Sequence, residues 1–289
     1  LPAPFQKLTE IQAYLSTNGL NAQKKFGQNF LIDQNIVRFI VESGRPYVSE
    51  GNTEVAEIGI GLGTLTYPIL EFQKPTHLFE IDKAYIELAR EKYLPEFPQA
   101  VLYEGDALKN LSHVFEKEIF IFGNLPYNLT SDILTLISTE CSSWKGGIFM
   151  VQKEFAERIT GEISSLSLFL EGLGKTELLK TVHKKCFYPA PKVDSALIRI
   201  LPYPQEKRIF KNKAEIQIWS RLLRTFFWGK RKQIQVSLRE SPFSADPFFQ
   251  ESVRLSWEKL KIPANARPEE LNRKQFLTLG QELLDHMSQ

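Results

Sequence analysis

Asn124, Leu125, Pro126 and Tyr127, in the stretch FGNLPYNLT (122–130), come one glycine after an apolar run, Ile119-Phe120-Ile121-Phe122. An asparagine and an aromatic bracketing a proline at a strand end suit substitution at an exocyclic amine on a flat ring, such as adenine N6. That nitrogen is a poor nucleophile, because its lone pair is delocalised into the ring. Acceptors on its two N–H groups favour a pyramidal nitrogen and aim the lone pair outward. The Asn124 side-chain oxygen is one acceptor, and a backbone carbonyl at Leu125 or Pro126, held outward by the fixed φ of proline, is the other. Tyr127 offers a face for the ring, a stacking contact worth about 1–3 kcal/mol. The reaction asks for no metal and no strong general base, so catalysis would be alignment and electrostatics. The bland alternative is a capped corner, with Asn124 bonding backbone and Tyr127 packed inward.

A second constellation is Glu57-Ile58-Gly59-Ile60-Gly61-Leu62-Gly63, placed after the apolar run TEVAEI. Glycines permit positive φ and bring backbone close to a ligand. Glu80 ends the next apolar run, 21 residues after Gly59, and Gly105-Asp106-Ala107 ends the one after that. A carboxylate at that distance commonly meets ribose hydroxyls in open α/β sheets, which bind ligands at strand C-termini. Three readings compete: a tight strand-to-helix corner, a dinucleotide site and a methyl-donor site. The spacing is G-x-G-x-G rather than G-x-G-x-x-G, and Glu57 would repel a pyrophosphate. S-adenosylmethionine carries a sulfonium and an ammonium and no phosphate. Glu80 on its ribose and Asp106 on its adenine amino group favour the methyl donor.

The elements needed to position these groups are legible as alternation. TEVAEI, THLFEI, AVLYE, EIFIF and GGIFMVQ read as strands, while LTYPILEF, DKAYIELAREKYL and SDILTLIS have helical spacing. Such alternation predicts an α/β domain with a mainly parallel sheet and helices on its faces. Asp33 is a predicted N-cap for QNIVRFIVES, and DSALIRILP reads as a last strand. The proline-rich LPYPQEK (201–207) marks a boundary, placing one domain at 1–203, with an N-terminal extension, and a small all-helical domain at 204–289. The predicted helices beyond it are AEIQIWSRLLRTFF, KQIQVSLRE and RKQFLTLGQELLDHM. No internal repeat or low-complexity segment is present.

Hydrophobic content of 43% and charged content of 24% fit a soluble globular protein. No run reaches the ~18 apolar residues of a membrane span. LPAPFQKLTEIQAYL lacks the marks of a secretory signal, and the two cysteines, Cys141 and Cys186, have no metal-ligand spacing. These features predict a cytoplasmic protein with no membrane partner and no metal. The net charge of +2 hides an asymmetry: Lys and Arg number 20 against 24 Asp and Glu in 1–205, but 16 against 10 in 206–289. Arg221, Arg224, Lys230, Arg231 and Lys232 concentrate that excess and suggest a polyanion partner, against the alternative of a solvated helix face.

The chain resembles the bacterial small-subunit (16S) ribosomal RNA adenine dimethyltransferases, the kasugamycin-sensitivity methyltransferase family. The resemblance rests on KKFGQNFLID (24–33), EIGIGLGTLT (57–66), FEID (79–82), GDAL (105–108), FGNLPYN (122–128), QKEFAERI (152–159) and FYPAPKVDSALIRI (187–200). Weaker echoes are FFWGKRKQI (226–234) and RPEEL (267–271). It implies a Rossmann-like S-adenosylmethionine-dependent methyltransferase domain and a C-terminal RNA-binding domain. It implies cofactor contacts from Asn29, Leu31, Gly59, Glu80, Asp106 and Asn124, and a target amine held by Asn124 through Tyr127. Phe187 would add a second aromatic surface for a flipped base, or serve as a core aromatic. The implied reaction dimethylates the N6 amines of two adjacent adenosines near the 3′ end of small-subunit RNA, with S-adenosylhomocysteine as product. The implied partner is small-subunit RNA in a pre-30S particle, and the implied protein is a monomer.

Two departures stand out. Ile60 replaces a proline common in the family, and RITGEISSLSLF is shorter than the usual loop after the QKE segment, which alters the expected substrate-side rim. Competing functions are a large-subunit (23S) RNA adenine methyltransferase of the macrolide-resistance type, a non-catalytic RNA-binding assembly factor, and a DNA adenine methyltransferase. Leu125 and the developed C-terminal domain favour the small-subunit reading, and intact Asn124, Glu80 and Asp106 favour catalysis.

Overall fold

The computed structural model describes residues 5, 7–18, 29–229 and 231–287. The first five residues of KKFGQNFLID, and Lys230, therefore lie outside the described residues. In chain order the elements are α1 (Leu8–Thr17), β1 (Phe30–Leu31), α2 (Gln34–Val48), β2 (Glu54–Ile58), α3 (Thr66–Leu70), β3 (Thr76–Glu80), α4 (Lys83–Lys92) and β4 (Ala100–Glu104). There follow α5 (Ala107–Asn110), β5 (Ile119–Asn124), α6 (Thr130–Glu140), β6 (Trp144–Gln152), α7 (Lys153–Gly161), α8 (Ser165–Leu173), β7 (Gly174–Val182), β8 (Phe187–Tyr188) and β9 (Ser195–Pro202). The helices α9 (Lys213–Phe226), α10 (Ile234–Glu240), α11 (Pro247–Lys259) and α12 (Arg273–Met287) complete the chain.

Seven strands form one sheet in the order β4-β3-β2-β5-β6-β9-β7. The pairs β4–β3, β3–β2, β2–β5 and β5–β6 are parallel, and β6–β9 is antiparallel. The central strands are largely buried because helices cover both faces. On one face, α2 lays Ile36, Val37, Ile40 and Val41 against Phe120, Phe122 and Ile148. On the other, Ile11 and Leu15 of α1 join Tyr85, Leu88 and Ala89 of α4. Helix starts follow aspartates: Asp33 accepts from the Asn35 and Ile36 N–H groups, Asp82 from Ala84 and Asp106 from Leu108.

The chain runs outward from β2 through β3 to β4, then returns to the other side of β2 with β5. Ile58 of β2 sits beside Gly123 of β5. This reversal opens a crevice beyond the C-terminal ends of β2 and β5, where an open α/β sheet binds its ligand.

Two compact units result, the described residues up to Glu157 with Glu177–Pro202, and Arg158–Thr176 with those from Tyr203 onward. The sequence boundary at 203/204 had left 158–176 in the first domain. That segment instead joins the second unit, where Phe210 stacks on Trp219 at 4.8 Å. A side chain at Gly172 would meet both rings, within 2.7 Å of Phe210 and 2.8 Å of Trp219. RITGEISSLSLF is also not a plain loop. Ser164 caps α8 by accepting from the Ser167 N–H, and the Ser167 hydroxyl accepts from the Ser164 N–H in return.

Candidate active site

Two adjoining clefts occupy the crevice. Both are lined by Asn29, Phe30, Gly59, Gly61 and Asn124. The first continues to Leu31, Glu57, Thr64 and Gly123. The second continues to Glu80, Ile81, Leu125, Pro126 and Tyr127. The glycine turn that forms their floor needs its glycines: φ is 79° at Gly59, 52° at Gly61 and 81° at Gly63. A Cβ at Gly63 would also lie 2.9 Å from the Tyr93 ring.

Glu80, at the end of β3, is 6% exposed. One carboxylate oxygen accepts the Gly61 N–H at 2.9 Å, and the other accepts those of Ile81 and Asp82 at 2.8 and 2.9 Å. Burial pushes its pKa up, and these backbone donors pull it back. Glu80 thus fixes the glycine turn to β3 and lines the cleft. Glu57 is 1% exposed, and burial raises it to about 8, the nearby Thr66 hydroxyl offsetting only part of the shift. Its Oε2 has no hydrogen-bond partner. The described residues lining either cleft include no Lys, Arg or His. A crevice walled by two carboxyl groups disfavours a pyrophosphate and suits a cationic ligand.

Asn124 closes β5. Its Nδ2 donates to the Asn29 carbonyl at 3.0 Å. A carbonyl can only accept, so the amide nitrogen must face Asn29, which leaves Oδ1 as the acceptor end. The two candidate backbone acceptors separate as well. The Pro126 carbonyl accepts the Leu129 N–H at 3.0 Å and the Thr130 hydroxyl at 3.1 Å. The Leu125 carbonyl is committed to neither, while the Leu125 N–H donates to Met150. Tyr127 is half-buried and anchored by its hydroxyl to Ser195 at 2.9 Å.

These features, with the sheet that carries them, are those of a methyl-transfer fold, and the model of the ribosomal RNA adenine dimethylase family matches residues 19–282. The chain belongs to that family. It is 36% identical over 230 residues to the ribosomal RNA small subunit methyltransferase A of Aromatoleum aromaticum, covering 78% of this chain and 84% of that protein. To the same-named protein of Treponema denticola it is 32% identical, covering 99% and 97%. A dimethyladenosine transferase structure from Plasmodium falciparum superposes with a TM-score of 0.70 at 25% identity, covering 88% of this chain and 97% of that one. The 23S rRNA methyltransferase ErmE superposes with a TM-score of 0.62 at 25% identity, covering 88% and 99%.

The family's methyl donor is S-adenosylmethionine, and the crevice fits it: the unpartnered Glu57 oxygen and the absence of cations from the described lining match a cationic ligand. Of the predicted donor contacts, Asn29, Leu31, Gly59, Glu80 and Asn124 converge on the clefts. Asp106 lines neither; it is half-buried and its carboxylate caps α5. Phe187 lines neither either. It is 3% exposed and pairs with Leu31 between β8 and β1, so it is a core aromatic rather than a surface for a base. Sequence reasoning passed over Phe30 and Ile81. Ile81 is 45% exposed beside Glu80, and an apolar residue left open just after a strand-end carboxylate was the available signal.

The basic stretch also divides. Arg221 donates from Nε to the Phe243 carbonyl at 2.6 Å, pairs with Asp246 at 3.3 Å and lies 4.0 Å from the Phe249 ring centroid. Arg224 stacks on Phe243 at 3.9 Å. The Arg221 guanidinium is thus engaged with residues that follow α10, which weighs against its facing a polyanion, whereas Arg224 is exposed above the Phe243 ring. Lys232 pairs with Glu240 at 2.8 Å over the Trp228 ring, and Arg231 is exposed. Arg221→Ala is expected to destabilise the protein by about 1–3 kcal/mol, through a charged hydrogen bond and a cation–π contact. Chemical denaturation checks this, and wild-type stability would return Arg221 to the RNA-facing group.

No helix among the described residues is long and apolar enough to cross a membrane. No group of three His, Cys, Asp or Glu among them could hold a metal ion.

Proposed function

We propose that the chain dimethylates the N6 amines of two adjacent adenosines near the 3′ end of small-subunit ribosomal RNA. The observation that carries this is Asn124: its amide nitrogen is tied to Asn29, so its oxygen is presented to the crevice as an acceptor. The donor supplies an electrophilic methyl on a sulfonium. The residues do the rest. Asn124 Oδ1 and the Leu125 carbonyl accept the two N–H groups of the amine, Tyr127 stacks on the base, and Glu80 binds the ribose. Ile81 offers an apolar surface to the donor's adenine. Glu80 also orders the glycine turn in the second cleft, and Glu57 lies in the wall of the first.

The curated relatives are named for small-subunit methylation. The likeness to ErmE keeps large-subunit RNA as the second reading. The substrate is read within a pre-30S particle by a cytoplasmic monomer, with the helical unit supplying the RNA grip. Labelled methyl donor offered to under-methylated small subunits, large subunits and duplex DNA tests the assignment, and label confined to large subunits would transfer it to the second reading.

The grip has its own test. Replacing Arg231 and Lys232 with Ala is expected to lower the slope of log K against log salt for subunit binding by about 1.5, at 0.7–0.9 per phosphate contact. Donor affinity should stay at the wild-type value. An unchanged slope would make this stretch a solvated face.

A further inference from the structure

Glu57 holds a buried carboxyl for which methyl transfer has no use as acid or base. It ends in a wall of the first cleft, and its Oε2 has no hydrogen-bond partner, the Thr66 hydroxyl being the neighbour that offsets part of the burial. The groups facing it come from several elements. β3 contributes Glu80, α3 contributes Thr66, Tyr93 follows α4, and the neighbouring position on β5 is the apolar Phe122. Among the described residues no Lys, Arg or His acts on it. A carboxylate in such surroundings lacks both solvent and counter-charge, and the ordinary response is to stay protonated.

The layout of the crevice says what brings a counter-charge. Glu80 lines only the second cleft and Glu57 only the first, with Asn124 common to both. A donor with its ribose on Glu80 and its sulfonium near Asn124, where the amine is held, must direct its third branch into the first cleft. That branch is the amino-acid end.

We propose that the Glu57 carboxyl is neutral in the ligand-free protein and gives up its proton to solvent when the donor's ammonium is seated beside it. Donor binding is then coupled to release of one proton. This rests on the placement of the donor's ribose on Glu80 proposed above. Burial supports the neutral state, holding the free carboxyl near 8. The sign follows: the bound cation favours the ionised form and lowers the pKa of Glu57 in the complex. Between that value and about 8, binding expels a proton, so affinity rises with pH by up to about tenfold per unit, until near 8 the donor's own α-amino group begins to lose the proton the site recognises.

The test is titration calorimetry at about pH 6.5, below the usual range of an α-amino group, in buffers of differing ionisation enthalpy. S-adenosylmethionine is expected to release close to one proton per site, and S-adenosylhomocysteine, which keeps the ammonium, the same. 5′-Methylthioadenosine keeps the ribose that would act on Glu80 but lacks the amino-acid end, and should bind without release. Glu57→Gln should bind S-adenosylmethionine with no release and a flat affinity across pH. Equal release by all three ligands, or none by any, would sink the inference while leaving the donor site in place. Failure of S-adenosylmethionine to bind at all would remove both. If Glu57→Gln does not fold, the contrast among the three ligands on the wild-type protein decides.

Discussion

Asn124→Ala is expected to lower kcat by at least about 100-fold, by analogy with removal of one preorganised oxyanion donor. The loss should fall on chemistry. In the proposed site Asn124 is one of two acceptors for the amine, and its oxygen is positioned by a bond from its own nitrogen to Asn29. The folding cost is that one partly buried hydrogen bond, about 0.5–1.5 kcal/mol. Asn124→Asp sharpens the point, because it keeps an oxygen yet sets a carboxylate against the Asn29 carbonyl, and should also be slow. Single-turnover methyl transfer with saturating donor reads the step directly. A purified, folded Asn124→Ala protein retaining more than about a tenth of the wild-type rate would end the role assigned to Asn124.

Glu80→Ala should weaken S-adenosylmethionine binding by about 1.5–3 kcal/mol, the worth of hydrogen bonds to a charged group. That corresponds to roughly 10- to 150-fold in Kd. Two causes act together. The ribose loses its acceptor, and the N–H groups of Gly61, Ile81 and Asp82 lose the carboxylate that gathers them. The same loss should appear with 5′-methylthioadenosine, which keeps the ribose, whereas subunit binding in the absence of donor should be unchanged. Calorimetry returning wild-type donor affinity would place the ribose elsewhere in the crevice.

Much of the catalytic unit was legible because its signals are local. Apolar runs of strand length ended in Gly59, Glu80 and Asn124, and the sheet order brings those ends together. Asp33 was readable as a cap from its place before a helical period, and its bonds to Asn35 and Ile36 bear that out. What escaped depended on partners distant in sequence. β7 leaves Lys175, Leu178, Lys180 and Thr181 exposed, so its KTELLKTV lacks the apolar run of a central strand. α11 opens on Pro247 and leaves Phe248 and Leu255 exposed, which blurs its amphipathic stripe. The charge count singled out Arg221 but could not show that Phe243 and Asp246 engage its guanidinium. Phe187 carries a family motif, yet its pairing with Leu31 decides where its side chain goes.

The central claim is that this crevice makes dimethyladenosine in small-subunit RNA. Labelled S-adenosylmethionine incubated with purified protein and small subunits lacking the modification, followed by digestion to nucleosides, tests it most directly. The account predicts that the label is recovered as N6,N6-dimethyladenosine, with two such nucleosides per subunit at completion and none made by the Asn124→Ala protein on the same timescale. Label confined to monomethyladenosine, or dimethyladenosine formed only on large subunits, would contradict it.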